Sequence, residues 1–394
     1  MRRAVFTLCF VALCLSAFSQ GWRYRADFAR SVHDFCDTIF ISWEHGQVFV
    51  PVSIDGHNYR FLLDTGAGQS VVFSSSQLAS QGSQAGTLLA HDATGATDTV
   101  PVVTLPPMTI GNVTLSGCRA TVQRTAGTTR FDGLLGFDLV NGGLSMKIDV
   151  AQGILIISDR PHQFCREEGQ RLRYKLNYHV PYIEVATYGG HRERMLFDTG
   201  SRQFFSINKD SYDSWNPSRH DIDDYSEQGR STGRHSMGHH GTEPEGEVVF
   251  LELNNLRLGK YAFSRVHAIT TQGGSHIGAA LLPFGTVSFC PQHRLMLFQP
   301  LAAETQPCPV DNRQMEIAFV PDSQGRPEVG LVWQQGEPYR LGFRQGDVVE
   351  MIDGRPVTSL AQFARWGFER GREYTFTVVN RQGQRHEVKW VRVK

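Results

Sequence analysis

The sequence predicts an all-β chain: two copies of one β unit, then a small C-terminal domain of strands with one or two helices. Three observations carry this. Short apolar runs broken by turns fill residues 46–159, where helical patterns are scarce. The block then repeats, "VPVSIDGHNYRFLLDTGAGQSVV" from Val50 matching "VPYIEVATYGGHRERMLFDTGSRQFF" from Val180. The texture changes again after "LAAETQPCPVDNRQ", where a stretch long enough for its own core begins.

Taken in order, "MRRAVFTLCFVALCLSAFSQ" has a basic start at Arg2 and Arg3, an apolar core and a small-x-small site at Ala17-Phe18-Ser19. Residues 1–19 are therefore expected to be a signal peptide that exports the chain to the periplasm or cell surface. The apolar run is too short to span a bilayer, and no other segment approaches twenty apolar residues. Leu13 before Cys14 is too bulky for lipoprotein cleavage. Lys plus Arg and Asp plus Glu balance at 39 each, so no large field draws the chain to nucleic acid or anionic lipid. Five cysteines follow the signal: Cys36, Cys118, Cys165, Cys290 and Cys308. They form no Cys-x-x-Cys pair, so neither a zinc site nor any cofactor is expected, and their pairing is not readable.

The first unit, residues 20–165, contains "QVFVPVSIDGHNYRFLLDTG", a hairpin turning at Asp55-Gly56. "TVPVVTLPPMTIGNVTLSGCRATVQ" adds two or three strands and "MKIDVAQGILIIS" a closing hairpin. The second unit, residues 166–305, echoes these. "LELNNLRLGKYAFSRVHAIT" answers "LPPMTIGNVTLSGCRATVQ", and "HIGAALL" (His276 to Leu282) answers "DGLLGFDLV" (Asp132 to Val140). A polar insert between Asp210 and Glu247 carries "GRHSMGHHG". It reads as a mobile loop of solvated histidines rather than a metal site, since no carboxylate or cysteine sits at ligand spacing. A linker at 306–314 leads to residues 315–394. That domain holds the strands "MEIAFV", "EVGLVW" and "DVVEMIDG", the helix "SLAQFARWGFER", and a last strand pair turning at Gln382-Gly383.

The chemistry lies in "FLLDTG" (Phe61 to Gly66) and "MLFDTG" (Met195 to Gly200). An acid between an apolar strand and Thr-Gly sits at the mouth of a tight, partly desolvated loop, where glycine lets backbone N–H groups reach the carboxylate. Two such acids brought face to face cannot both ionise easily, so they share a proton. The ionised one can then take a proton from a water while the other polarises a carbonyl, which is amide hydrolysis.

Residues 46–300 resemble the retropepsin-like, pepsin-related aspartic peptidases. That family has Asp-Thr/Ser-Gly-Ala/Ser in each lobe and a later apolar-apolar-Gly strand beside it. The resemblance implies a bilobed pair of β-barrels with pseudo-twofold symmetry, and Asp64 and Asp198 as the catalytic dyad. Thr65 and Thr199 would interlock across the pseudo-dyad, beside Gly66, Ala67, Gly200 and Ser201, with Leu134, Leu135 and Gly136, and Ile277 and Gly278, in the later strands. Ser201 could hydrogen-bond an outer carboxylate oxygen, whereas Ala67 cannot. A chain holding both copies builds the site as a monomer, with polypeptide as its substrate. Three departures stand out: His276 in an apolar slot, Arg202 directly after the second motif, and a flap ("AHDATGATDTVPV") that turns at Thr94-Gly95 without a tyrosine.

"GEPYRLGFRQGDVVEMIDGRPVTSL" resembles bacterial PDZ domains, with Gly346-Asp347 and Asp353-Gly354 as anchors. The resemblance implies capture of a peptide C-terminus by strand addition, and Gly330 and Leu331 are the expected binding edge. The rival to an active peptidase is a catalytically inactive peptide-binding or adaptor protein on the same fold. Thr-Gly after both acids argues against decay.

Overall fold

The computed structural model describes residues 24, 26–91, 97–124, 130–214, 225–238, 241–303 and 306–391. The expected signal peptide and the flap turn Thr94-Gly95 lie outside the described residues. What is described is mostly β, with a few short helices and four sheets.

The first eleven-stranded sheet grows from the hairpin Gln47–Ile54 and His57–Leu63, in which Phe49 opposes Leu62 and Ile54 opposes His57. Asp55 and Gly56 both take positive φ, which is what a tight hairpin turn between right-twisted strands requires. Outward from Gln47–Ile54 lie Met108–Ile110, Val113–Ser116 and Ala29–Arg30. Outward from His57–Leu63 lie Gly133–Leu135, Val71–Phe73, Arg119–Gln123, Thr97–Thr104 and Ser83–His91. The second sheet has Val180–Ala186 and Arg192–Asp198 at its centre. On one side lie Leu256–Leu258 and Tyr261–Ser264, and on the other His276–Gly278, Phe205–Asn208, Val266–Thr271, Gly246–Leu253 and Tyr225–Gly233. Nine strands thus follow one order in both sheets.

A six-stranded sheet joins the halves. Cys36–Phe40, Ile154–Ser158 and Ser145–Asp149 pair onward with Gly285–Cys290, Leu295–Pro300 and Gln170–Arg173. Ala29–Arg30 and Ser42–Glu44 belong to the first sheet and Cys36–Phe40 to this joining sheet. One continuous core runs beneath all three sheets, with Phe61, Phe197, Ile148 and Phe298 each at 1% exposure or less. Burying a side chain of this size stabilises by about 1.5–3 kcal/mol. A disulfide joins Cys165 to Cys290, while Cys36, Cys118 and Cys308 are free.

The C-terminal sheet runs Ile317–Pro321, Pro327–Val332, Val348–Ile352, Glu373–Val379, Arg385–Val391, with short helices at Glu337–Leu341 and Leu360–Ala364. Phe343, Phe376 and Trp390 anchor its separate core.

Two expectations are overturned. Gly330 and Leu331 are not an open edge. The Arg234 amide donates to the Gly330 carbonyl (2.8 Å), and Leu331 packs with Val248, Phe250 and Ile269 of the second sheet. Nor is the histidine-rich insert simply solvated. Tyr225–Gly233 is a strand paired with Gly246–Leu253, and His235 is buried beside Glu243, 3.5 Å away. The Glu243 carboxylate accepts from the His235, Ser236 and Gln272 amides, so a local acid serves the partners that the motif seemed to lack.

Candidate active site

Each aspartate follows three apolar residues at the end of a strand that is paired on both edges, Phe61 to Leu63 before Asp64 and Met195 to Phe197 before Asp198. In the first sheet Leu62 opposes Leu134 and Leu63 opposes Leu135, in parallel, so the Asp64 amide donates to the Leu135 carbonyl at 2.9 Å. In the second, Phe197 opposes Ile277 and Asp198 opposes Gly278. The loops that follow are built alike. The Ala67 amide donates to the Asp64 carbonyl and the Ser201 amide to the Asp198 carbonyl, both at 3.2 Å. The Phe137 amide closes on the Ala67 carbonyl (2.7 Å) and the Ala279 amide on the Ser201 carbonyl (2.8 Å).

These loops meet face to face. Thr65 and Thr199, both about 1% exposed or less, exchange hydrogen bonds. The Thr65 hydroxyl donates to the Phe197 carbonyl (2.7 Å) and accepts from the Thr199 amide (3.0 Å). The Thr199 hydroxyl donates to the Leu63 carbonyl (2.7 Å) and accepts from the Thr65 amide (3.0 Å). Both threonine hydroxyls and both threonine amides thus find partners within the protein.

Above the threonines each carboxyl rests on the other loop's glycine. A Cβ on Gly66 would lie 2.5 Å from Asp198 Oδ1, and one on Gly200 would lie 2.7 Å from Asp64 Cγ. Only glycine admits the approach. The Gly66 amide donates to Asp64 Oδ1 and the Gly200 amide to Asp198 Oδ1, both at 2.9 Å. Asp64 is also hydrogen-bonded to the Asp198 side chain. Burial, then the charge of Asp198 and that hydrogen bond, hold Asp64 well above the usual carboxylate range, against the lowering effect of the Gly66 and Ala67 amides.

Other site residues fall around this centre. Gly136 donates its amide to the Ser70 hydroxyl (3.1 Å), and Gly278 donates to the Phe204 carbonyl (3.3 Å). The Ser201 hydroxyl does not reach a carboxylate; it accepts from the Gln203 amide at 3.3 Å, because the loop turns it toward its own backbone. His276 is half-buried, with Nδ1 3.2 Å from the Gly274 carbonyl oxygen. Arg202 donates to Gln47 Oε1 (2.8 Å), and Gln47 Nε2 donates to the Gly200 carbonyl (3.1 Å), which ties the unexpected charge to the second loop.

Sequence reasoning missed Gln47 and, more importantly, Asp138. The Asp138 carboxyl is buried behind the first loop, accepting from the Ser70 hydroxyl (2.8 Å) and Gln69 Nε2 (2.9 Å). Burial pushes its pKa up to about 6, despite those donors. A lone acid inside the otherwise apolar "GLLGFDLV" was the available signal. The corresponding residue after Gly278 is Ala280, so the two sides differ here. Among the described residues neither Asp64 nor Asp198 belongs to a cluster of metal-ligating side chains.

Residues 50–139 match the family model for aspartyl proteases, so this part of the chain, with Asp64 and Gly136, is an aspartic-peptidase-like region. No curated protein matches the chain.

Proposed function

We propose that the chain is an exported aspartic endopeptidase that works as a monomer in the periplasm or at the cell surface. Asp64 and Asp198 are its catalytic dyad, and the units 20–165 and 166–305 are two lobes related by a pseudo-twofold axis. The observation that carries this is the reciprocal seating of each carboxyl on the other loop's glycine above the threonine exchange. The shared strand order of the two sheets supports the lobe reading.

A substrate peptide lies across the dyad under the first-lobe flap. One aspartate of the pair, ionised, accepts a proton from a water held between the acids, and the water oxygen attacks the scissile carbonyl carbon. The other, protonated, donates to the carbonyl oxygen as charge develops there. Collapse of the tetrahedral intermediate returns a proton to the leaving amine. No covalent enzyme intermediate is needed. Activity should fall at high pH as the shared proton is lost and at low pH as the base is protonated.

Residues 315–394 form a PDZ-like module in this reading, supported by the order Gly346-Asp347, strand, Asp353-Gly354. Since Pro327–Val332 is enclosed, a peptide C-terminus would add to Ile317–Pro321, which pairs on one side only among the described residues.

The test uses the chain from Gln20 beside Asp64→Asn and Asp198→Asn, each incubated with a diverse peptide mixture from pH 3 to 8 and read by mass spectrometry. Cleavage that vanishes in both variants supports the dyad. Persistence in either refutes the shared-proton mechanism. Binding without cleavage by the parent shifts the reading to an inactive peptide-binding protein.

A further inference from the structure

We infer that Cys165 and Cys290, joined as a disulfide in one state, form with His162 and His293 a Cys₂His₂ zinc site when the disulfide is reduced. The two turns carry mirrored half-motifs, His162-x-x-Cys165 and Cys290-x-x-His293. Each is a tight local turn. In the first, the Cys165 amide donates to the His162 carbonyl (3.0 Å), and His162 and Phe164 take positive φ. In the second, Cys290 and Leu295 are paired at the end of a hairpin, Pro291–His293 is a single 3₁₀ turn, and Arg294 takes positive φ.

The turns place three of the donors at one spot and bring the fourth, Cys290, beside them through its bond to Cys165. His162 Nδ1 lies 3.0 Å from His293 Nε2, and the ligating atoms of His162, Cys165 and His293 lie within 4.8 Å of one another. The Cys165 and Cys290 Cα atoms are 5.5 Å apart. Tetrahedral zinc, with Zn–N about 2.1 Å and Zn–S about 2.3 Å, sets its nitrogens about 3.4 Å apart and its sulfurs about 3.8 Å apart. The imidazoles already stand near that separation, so the changes needed are parting of the sulfurs and a turn of the Cys290 side chain toward the imidazoles. Both cysteines are buried and both histidines exposed, leaving an imidazole-lined entry to a sheltered thiolate pair.

A disulfide alone has no need of a histidine beside each sulfur. Non-glycine residues in strained backbone cost of order 1–3 kcal/mol each and persist where the surroundings demand them; here three of them build the two turns. Arg166, Arg171 and Arg173 line the same cavity, of about 520 Å³. They would repel a bare dication. Two thiolates, however, cancel its charge. Soft thiolate with imidazole in a four-donor set selects zinc.

The states interconvert with a dithiol reductant. Its thiolate attacks one sulfur of the disulfide, its second thiol resolves the mixed disulfide, and the reductant is oxidised as Cys165 and Cys290 gain two electrons and two protons. Zinc binding then displaces those two protons and takes a lone pair from each imidazole. Either state clamps the crossover at 159–169, which links the two halves, to the second-half hairpin.

The full mature chain would be reduced anaerobically with dithiol, given zinc or cobalt(II), desalted, and measured for bound metal by mass spectrometry and for thiols by titration. We expect one ion per reduced chain, none in the oxidised chain, and the visible ligand-field spectrum of a tetrahedral S₂N₂ site for cobalt. In His162→Ala/His293→Ala affinity should fall at least roughly a hundredfold, while the disulfide still forms on oxidation and so reports a folded variant. Absence of bound metal in the reduced parent would overturn the proposal, as would retention unchanged in the double histidine variant.

Discussion

Thr65→Val tests the crossing beneath the dyad. Valine keeps the shape and removes one hydroxyl that donates to the Phe197 carbonyl at 2.7 Å and accepts from the Thr199 amide at 3.0 Å. Both orphaned groups stay buried, since Thr65 and Thr199 are 1% and 0% exposed. A buried polar group left unsatisfied costs about 1–3 kcal/mol, so the pair costs about 2–6 kcal/mol. Thr65→Ser keeps both bonds and loses only a methyl, for about 1 kcal/mol. Thr65→Val/Thr199→Val should cost less than the sum of its singles, because opening the crossing once exposes both halves of it. Urea denaturation reads these values as midpoint changes at constant slope. A loss below about 1 kcal/mol for Thr65→Val, or strict additivity in the double variant, would refute the account of the crossing as a closed hydrogen-bond exchange.

Gly200→Ala places a Cβ 2.7 Å from Asp64 Cγ and must part the carboxyls; peptide cleavage should drop about a hundredfold or more with circular dichroism unchanged, and parental kinetics would contradict this. Asp138, with its folded pKa pushed up to about 6 and thus above its unfolded value, contributes stability that is complete below about pH 4 and lost as pH rises through about 6. Stability of Asp138→Asn should therefore decline less than the parent's between pH 4 and 7, by about 3 kcal/mol, and parallel pH–stability curves would exclude the effect. Gly330→Ala puts a Cβ 2.5 Å from the Arg234 carbonyl oxygen and 2.6 Å from Val320 Cγ2. It should loosen the C-terminal unit from the second sheet, seen as faster limited proteolysis around residues 306–316; an unchanged cleavage rate would show that the contact does not hold the unit.

Much of the secondary structure was legible because its signals are local. The turn at Asp55-Gly56 is written in residues that tolerate positive φ, and "FLLDTG" and "MLFDTG" each announce a strand whose last apolar residues run into an acid. The same locality misled where partners come from far away. Gly330 and Leu331 have the pattern of a strand edge, but the Arg234 backbone covers them. His235 sits in a polar run, yet Glu243 and Thr270 hold it in the core. Asp138 went unread because its partners, Ser70 and Gln69, lie far off along the chain.

By itself the sequence determined that the chain is all-β, that two acids stand in one repeated context, and that a distinct segment follows. Those properties depend on periodicity and turn chemistry within a few residues. Only the tertiary structure decided which atoms meet: the threonine exchange, each carboxyl against the opposite glycine, the mirrored Cys and His turns brought to one spot, and the C-terminal sheet docked on the second. Those meetings depend on strand order and register, through which residues more than a hundred positions apart become neighbours.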